Sequence, residues 1–204
     1  MKANPKRILF AAVSALLALC SPLARAGTVM LDPGHGGRDS GATVDQAKES
    51  EIMLSFAKVL DAELKRKGYV TNLTRDTDEL VPLNSKRQTI ADVKPIIVLG
   101  LHLSSSKDPN ERGIRIFRSP KTEDEKLLLE ERELPDHLVK ALSAIEPKQT
   151  VTTHRLGLPY LNTPKAILLE LGFLTNAEDR KLITDPAYQQ KLATVLAEAI
   201  NELY

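Results

Sequence analysis

Short apolar blocks alternate along this chain with longer stretches that carry a helical period. Residues 28–31 (Thr-Val-Met-Leu), 69–73, 96–101, 113–117 and 166–169 each read as a strand. The near-continuous apolar run at 96–101 is the pattern of a strand buried on both faces. Between them, 49–67 sets Ile52, Phe56, Val59, Leu60 and Leu64 on one helical face. It closes on Lys65-Arg-Lys67 and Gly68, a basic last turn with a glycine stop. A second helix covers 83–93, with Pro95 behind it as a breaker. Residues 119–146 turn charged and helical, marked by Leu127 to Leu129, Leu134, Leu138 and Leu142. The last helix spans 186–203, with Tyr188, Leu192, Val195, Leu196, Ile200 and Leu203 in phase. Residues 150–161 read less cleanly, as a strand with an irregular lead-in. Asp32-Pro-Gly-His-Gly-Gly37 has a proline and three glycines in six residues, which predicts a tight loop and neither helix nor central strand. Strands alternating with helices predict an α/β fold: a single domain over 27–204, with a mostly parallel twisted sheet flanked by helices.

The first 26 residues belong to a different pattern. Lys2, Lys6 and Arg7 precede an apolar run from Ile8 to Cys20, and Ala24-Arg25-Ala26 supplies a small-x-small cleavage site. The run is short for a membrane helix, which needs roughly 20 apolar residues. The expectation is a signal peptide over 1–26 and an exported protein, in the periplasm or cell envelope or secreted. The rival reading, a lipid-modified Cys20, fits less well because Leu19 fills a position that normally holds a small residue. Cleavage removes four basic residues (Lys2, Lys6, Arg7, Arg25) and no acid, so 28 basic against 27 acidic becomes 24 against 27, a net charge of −3. That balance argues against a sequence-independent nucleic-acid binder. Cys20 is the only cysteine, so the mature chain has neither disulfide nor thiol nucleophile.

In open α/β sheets, sites form beyond the carboxyl ends of the strands. Strand 28–31 runs into His35, strand 96–101 into His102, and strand 166–169 into Glu170, while Glu49 stands in the first turn of a helix. Two imidazoles and a carboxylate make a three-ligand zinc set with a fourth position left for water, and such sites make hydroxide available near neutral pH. A further carboxylate nearby can take the proton of that water and pass it to a leaving amine. Glu170 suits this task, since the four apolar residues before it predict an apolar surround, which raises a carboxyl pKa. Each residue also has a plainer reading. His35 can cap a turn, His102 can be a buried histidine with one backbone partner, Glu49 can answer the helix dipole, and Glu170 can face solvent. The other two histidines, His137 and His154, stand outside strand-end contexts.

Leu31-Asp-Pro-Gly-His-Gly-Gly37 with Gly41-Ala42 resembles the opening motif of the zinc-dependent N-acetylmuramoyl-L-alanine amidases of bacterial cell walls. The resemblance continues through Lys48-Glu49, Leu73-Thr-Arg-Asp-Thr-Asp78, Arg87 with Ala91, and Leu99-Gly-Leu-His-Leu103. It ends with Leu168-Leu-Glu-Leu-Gly-Phe-Leu-Thr-Asn176, so it spans nearly the whole mature chain in order. It implies one zinc ion held by His35, Glu49 and His102, with Glu170 as the catalytic carboxylate. Glu51 is a rival ligand two residues on, but its spacing fits the family pattern less well than that of Glu49. The implied reaction is hydrolysis of the amide between N-acetylmuramic acid and L-alanine. The implied partners are peptidoglycan as substrate, no nucleic acid and no membrane after cleavage; the chain is a monomer, and a protein activator is left open. The same metal set suits a zinc peptidase cutting within the stem peptide, and a non-catalytic wall-binding or regulatory domain would keep the fold without the metal. Two departures stand out. Leu103-Ser104-Ser105 follows the second histidine where the family carries a small residue and then Asn or Asp, which puts the surroundings of His102 in question. Residues 122–134 occupy the region where some relatives carry a site-plugging helix. A solvated amphipathic helix is the plainer reading, and deleting the segment raises activity only if it is inhibitory.

Overall fold

A computed structural model describes residues 27–118, 125–145, 151–155 and 165–204, with the backbone alone for 125–132 and 153–155. The expected signal peptide, the start of segment 122–134 and residues 156–161 lie outside them. Eight strands are described: β1 (Thr28–Pro33), β2 (Thr43–Val44), β3 (Ala47–Lys48), β4 (Val70–Leu73), β5 (Ile97–Ser104), β6 (Ile114–Arg118), β7 (Val151–Arg155) and β8 (Ala166–Phe173). The helices are α1 (Glu49–Arg66), α2 (Leu83–Val93), α3 (Glu125–Ser143), α4 (Ala177–Ile183) and α5 (Pro186–Leu203). Six strands form one sheet in the order β4-β1-β5-β8-β6-β7, and β2 with β3 makes a separate small hairpin. The first four strands of the order are parallel, whereas β6 runs antiparallel to β8 and parallel to β7. This is the mostly parallel α/β sheet expected. Among the described residues no helix is long and apolar enough to cross a membrane.

Alternation along the strands sends side chains to two unlike faces. Val29, Leu31, Leu99, Leu101, Ile167, Leu169 and Leu171 pack with α1, α3 and α5 into the large core, where Leu134, Leu138 and Leu142 of α3 are buried. Met30, Val98, Ala166 and Leu168 face the other way and, among the described residues, pack with Ile90, Val93 and Phe117. One face therefore carries three long helices and the other chiefly α2. The chain leaves β1 for β4 on one side, and returns across β1 to β5, so the carboxyl ends of β1 and β5 flank a switch point where a crevice forms.

The strands run further than the apolar blocks suggested. Asp32 and Pro33 belong to β1, not to the loop, which starts at Gly34. Pairing with β4 stops at Leu31, so Pro33 has only β5 beside it, with Leu101 as its partner, and no ladder needs its missing N–H. His102 and Glu170 likewise sit inside β5 and β8 as register partners; each is the polar residue of an alternating strand. The hairpin at 43–48 and helix α4 were not anticipated. The signal for α4 was present, since Asn176 accepts hydrogen bonds from the N–H groups of Glu178 and Asp179, an N-cap followed by acidic residues.

Candidate metal centre

His35 is delivered by a loop of unusual backbone. It adopts φ 60°, a left-handed conformation uncommon for a residue with a side chain, although histidine is among those that tolerate it. Two glycines around it are sterically required. A Cβ on Gly34 would come within 2.3 Å of His102 Cε1, and one on Gly41, at φ 64°, within 2.5 Å of His35 Cδ2 and 2.6 Å of Glu49 Oε2. The loop is held from beneath by Arg75, which is 2 % exposed. Its guanidinium donates to the carbonyls of Pro33 (3.1 Å), Gly34 (2.8 Å), Ser50 (2.8 Å) and Thr77 (3.1 Å). One side chain thus ties together the segments that bear His35 and Glu49. Asp78 adds a bond from Gly37 N–H at 3.0 Å. Asp32, buried one strand-step earlier, accepts from Thr74 Oγ1 and lies 2.7 Å from Lys86 Nζ of α2.

Glu49 reaches the sheet edge because the hairpin turns the chain back before α1. The first N–H groups of α1 are satisfied by that loop, Glu49 N–H by Ala42 O (2.9 Å) and Ser50 N–H by Ser40 O (3.1 Å). The Glu49 carboxylate is almost fully buried. Its Oε1 lies 3.2 Å from His35 Nε2 and 3.0 Å from His102 Nδ1, and accepts the Leu103 N–H at 2.9 Å. Oε2 accepts the Ala42 N–H at 2.9 Å. Burial works to raise the Glu49 carboxyl, but bonds from His102, His35, Leu103 and Ala42 outweigh it and hold the group well below the usual carboxylate range. Without a metal, the hydrogen bond to Glu49 pushes His35 up to about 9, against the opposing effect of burial and with help from Asp39.

One ligand atom from each of His35, Glu49 and His102 lies within 4.8 Å of the others. Three of the four residues singled out in the sequence thus converge, and the donor set of two imidazoles and a carboxylate fits a divalent cation of the zinc type. The imidazole side chains stay 26 % and 20 % exposed, so a substrate has access. Glu51 does not compete: it is exposed and bonds Lys48 Nζ at 2.7 Å. His137 lies on α3, 3.9 Å from Glu202, and His154 belongs to β7.

Glu170 is the fourth. As the register partner of His102, it stands on the same sheet face one strand away, a spacing of about 4.8 Å. Its flanking leucines, Leu169 and Leu171, belong to the core on the opposite face, and the described groups that touch its carboxylate are polar. Arg115 Nε donates to Glu170 Oε2 at 2.6 Å, Ser104 Oγ donates to the same oxygen, and Arg115 Nη2 donates to Ser104 Oγ at 2.7 Å. Ser104, flagged above as a departure in the surroundings of His102, bonds Glu170 instead. Reasoning from sequence missed Arg115, Arg75 and Asp39, although Arg75 lies in the quoted Thr-Arg-Asp motif and Asp39 is four residues beyond His35.

An accessible His–Glu–His cluster with a carboxylate beside it, at the switch point of an α/β sheet, defines a metal-dependent hydrolase. The family model described as N-acetylmuramoyl-L-alanine amidase (Amidase_3) matches residues 29–202. The chain is 26 % identical to the N-acetylmuramoyl-L-alanine amidase AmiA of Salmonella typhimurium, with 84 % of this chain and 74 % of that protein covered. It is 28 % identical to the probable cell wall amidase LytH of Staphylococcus saprophyticus, covering 87 % of this chain and 58 % of that one. Among solved structures, an N-acetylmuramoyl-L-alanine amidase from Clostridium difficile 630 superposes with TM-score 0.74 at 25 % identity, covering 86 % of this chain and 95 % of that one. The CwlD amidase from Clostridioides difficile, solved in complex with the GerS lipoprotein, shares the fold with TM-score 0.76 at 23 % identity, covering 87 % and 98 %. The chain belongs to the N-acetylmuramoyl-L-alanine amidase family, whose members are zinc-dependent hydrolases of peptidoglycan.

Proposed function

We propose that this chain cleaves the amide between the lactyl group of N-acetylmuramic acid and L-alanine, with His35, Glu49 and His102 holding one zinc ion and Glu170 handling the proton. The observation that carries the assignment is the convergence of the three ligand groups within 4.8 Å, next to a carboxylate in register with one of them. Bound there, zinc supplies Lewis-acid chemistry: activation of the water nucleophile and polarisation of the amide carbonyl. Glu49, buried and multiply hydrogen-bonded, remains ionised and draws the two imidazoles together. Asp39 accepts from His35 Nδ1 at 2.9 Å, so that the ring presents Nε2 to the cluster. Glu170 takes the proton of the attacking water and returns it to the alanine nitrogen as the C–N bond breaks.

The substrate lies outside the cytoplasm, which agrees with the export pattern of residues 1–26, and this reading includes secretion to the periplasm or envelope. A protein partner belongs to this reading, since CwlD was solved in complex with the GerS lipoprotein, and comparing turnover with and without an envelope extract tests whether such a partner activates. The core test is digestion of purified sacculi with and without a chelator, with products identified by mass. The amidase releases stem peptides with a free L-alanine amino terminus, only when metal is present. Fragments cut inside the stem would identify a peptidase, and no release by zinc-loaded protein would leave a wall-binding domain. Glu170→Ala keeps zinc and loses turnover, whereas His35→Ala loses zinc.

A further inference from the structure

The assignment of Glu170 leaves open what fixes a flexible carboxylate at an accessible sheet edge. The register supplies the frame. His102, Glu170 and Arg115 are successive Cα partners across β5, β8 and β6, and partners on adjacent strands project to the same face. Glu170 therefore stands between the metal ligand on one side and a guanidinium on the other.

Both donors to Glu170, Arg115 Nε and Ser104 Oγ, land on Oε2. Among the described residues Oε1 has no hydrogen-bond partner. One oxygen is an anchor and the other is left for proton transfer. Arg115 also lies over two aromatic rings, its Cζ 4.7 Å from the Phe173 ring centroid and 5.7 Å from that of Phe117. A planar fork that bonds a carboxylate and a hydroxyl together while stacking on an aromatic ring suits arginine, and a lysine has no equivalent.

We propose that Arg115, acting with Ser104, is the positioning residue for Glu170: it pins Oε2 and so aims Oε1 at the reacting amide. The inference rests on Glu170 as the proton-handling group. Misplacing a reacting group by about 1 Å can cost about 100-fold in rate, so Arg115→Ala lowers kcat by about 10–100-fold, with KM within about threefold and zinc content unchanged. The test is a double-mutant cycle of Arg115→Ala with Glu170→Gln on the zinc-loaded full chain, reading kcat, KM and zinc by elemental analysis. In the Glu170→Gln background the arginine change costs less than about threefold, because the group it aims is gone. Equal losses in both backgrounds, or an unaltered kcat in the single variant, overturn the proposal. Full activity of Glu170→Gln would instead overturn the Glu170 assignment, so the two failures are distinct. If Arg115→Ala does not fold, Arg115→Met keeps the aliphatic stem against the rings and enters the same cycle. If Glu170→Gln falls below detection, the kcat–KM split of Arg115→Met decides: a kcat loss at constant KM and zinc supports positioning, and a change in KM or zinc alone overturns it.

Discussion

Asp39 grips His35 from the side opposite Glu49: its Oδ2 lies 2.9 Å from Nδ1, while Nε2 of the same ring lies 3.2 Å from the Glu49 carboxylate. The pair sets both the tautomer and the orientation of the ligand. Removing such an outer partner weakens metal binding by about 10–100-fold. Asp39→Ala is accordingly expected to lose zinc affinity on that scale with its fold intact. Competition against a chromophoric chelator measures it, and an unchanged Kd would show that the Asp39 contact is incidental.

Gly34 has no space for a methyl group because the His102 ring occupies it. Gly34→Ala should push His102 out of the cluster and abolish stoichiometric zinc binding, since two protein ligands hold the ion much less well than three. Elemental analysis reads the metal, and circular dichroism confirms that helix content is kept. A fully loaded alanine variant would mean that His102 is dispensable as a ligand.

Arg75 serves four backbone carbonyls in a nearly water-free setting, and deleting it removes a donor from each. Arg75→Ala is expected to cost about 3 kcal/mol, which for a domain of this size lowers Tm by about 6–12 °C. Arg75→Lys recovers only part of the loss, because one ammonium cannot span Gly34 and Ser50 as the fork does. Thermal denaturation of the zinc-loaded variants gives the answer; a shift below about 2 °C for alanine, within the effect of an ordinary surface change, would refute this role.

The His35–Glu49 contact makes the metal-free protein sensitive to pH. His35 is raised from 6.5 to about 9 by the carboxylate, so its stabilisation is complete below pH 6.5 and is lost as pH climbs through about 9. Glu49, held low, contributes fully above the ordinary carboxylate range and loses its share progressively as pH falls below it. The Tm of metal-free protein should therefore fall between pH 6.5 and 9.5. Zinc requires neutral imidazole, so uptake at pH 7.5 should expel about one proton. Titration calorimetry in buffers of different ionisation enthalpy counts that proton; none released would contradict the protonated His35.

Residue chemistry and strand order picked out the three residues that converge as a candidate metal site, and the family resemblance chose Glu49 over Glu51. His35, His102 and Glu170 each follow an apolar strand, a place where a polar side chain calls for an explanation, whereas Glu49 stands in the first turn of a helix. Their outer partners were hidden for a physical reason. Arg115 meets Glu170 only because β6 joins β8 antiparallel, and a five-residue strand gives no sign of its neighbour or direction. In sequence Arg115 is simply the polar member of an alternating strand. The strand limits failed for a related reason: apolar blocks mark where side chains are buried, whereas backbone pairing carried β5 and β8 on past their first polar residue, and β1 through Pro33.

The left-handed backbone of His35 has a bearing on how the protein lives without its metal. Holding a side-chain-bearing residue there costs about 1 kcal/mol, and in the metal-free protein only the bonds of His35 to Asp39 and Glu49 and the Arg75 bonds to the loop are seen, among the described residues, to work against it. Coordination is what makes that shape worthwhile. Without the ion, residues 34–41 rest on those contacts alone, so scarcity of the ion is expected to be felt as proteolytic vulnerability at this loop.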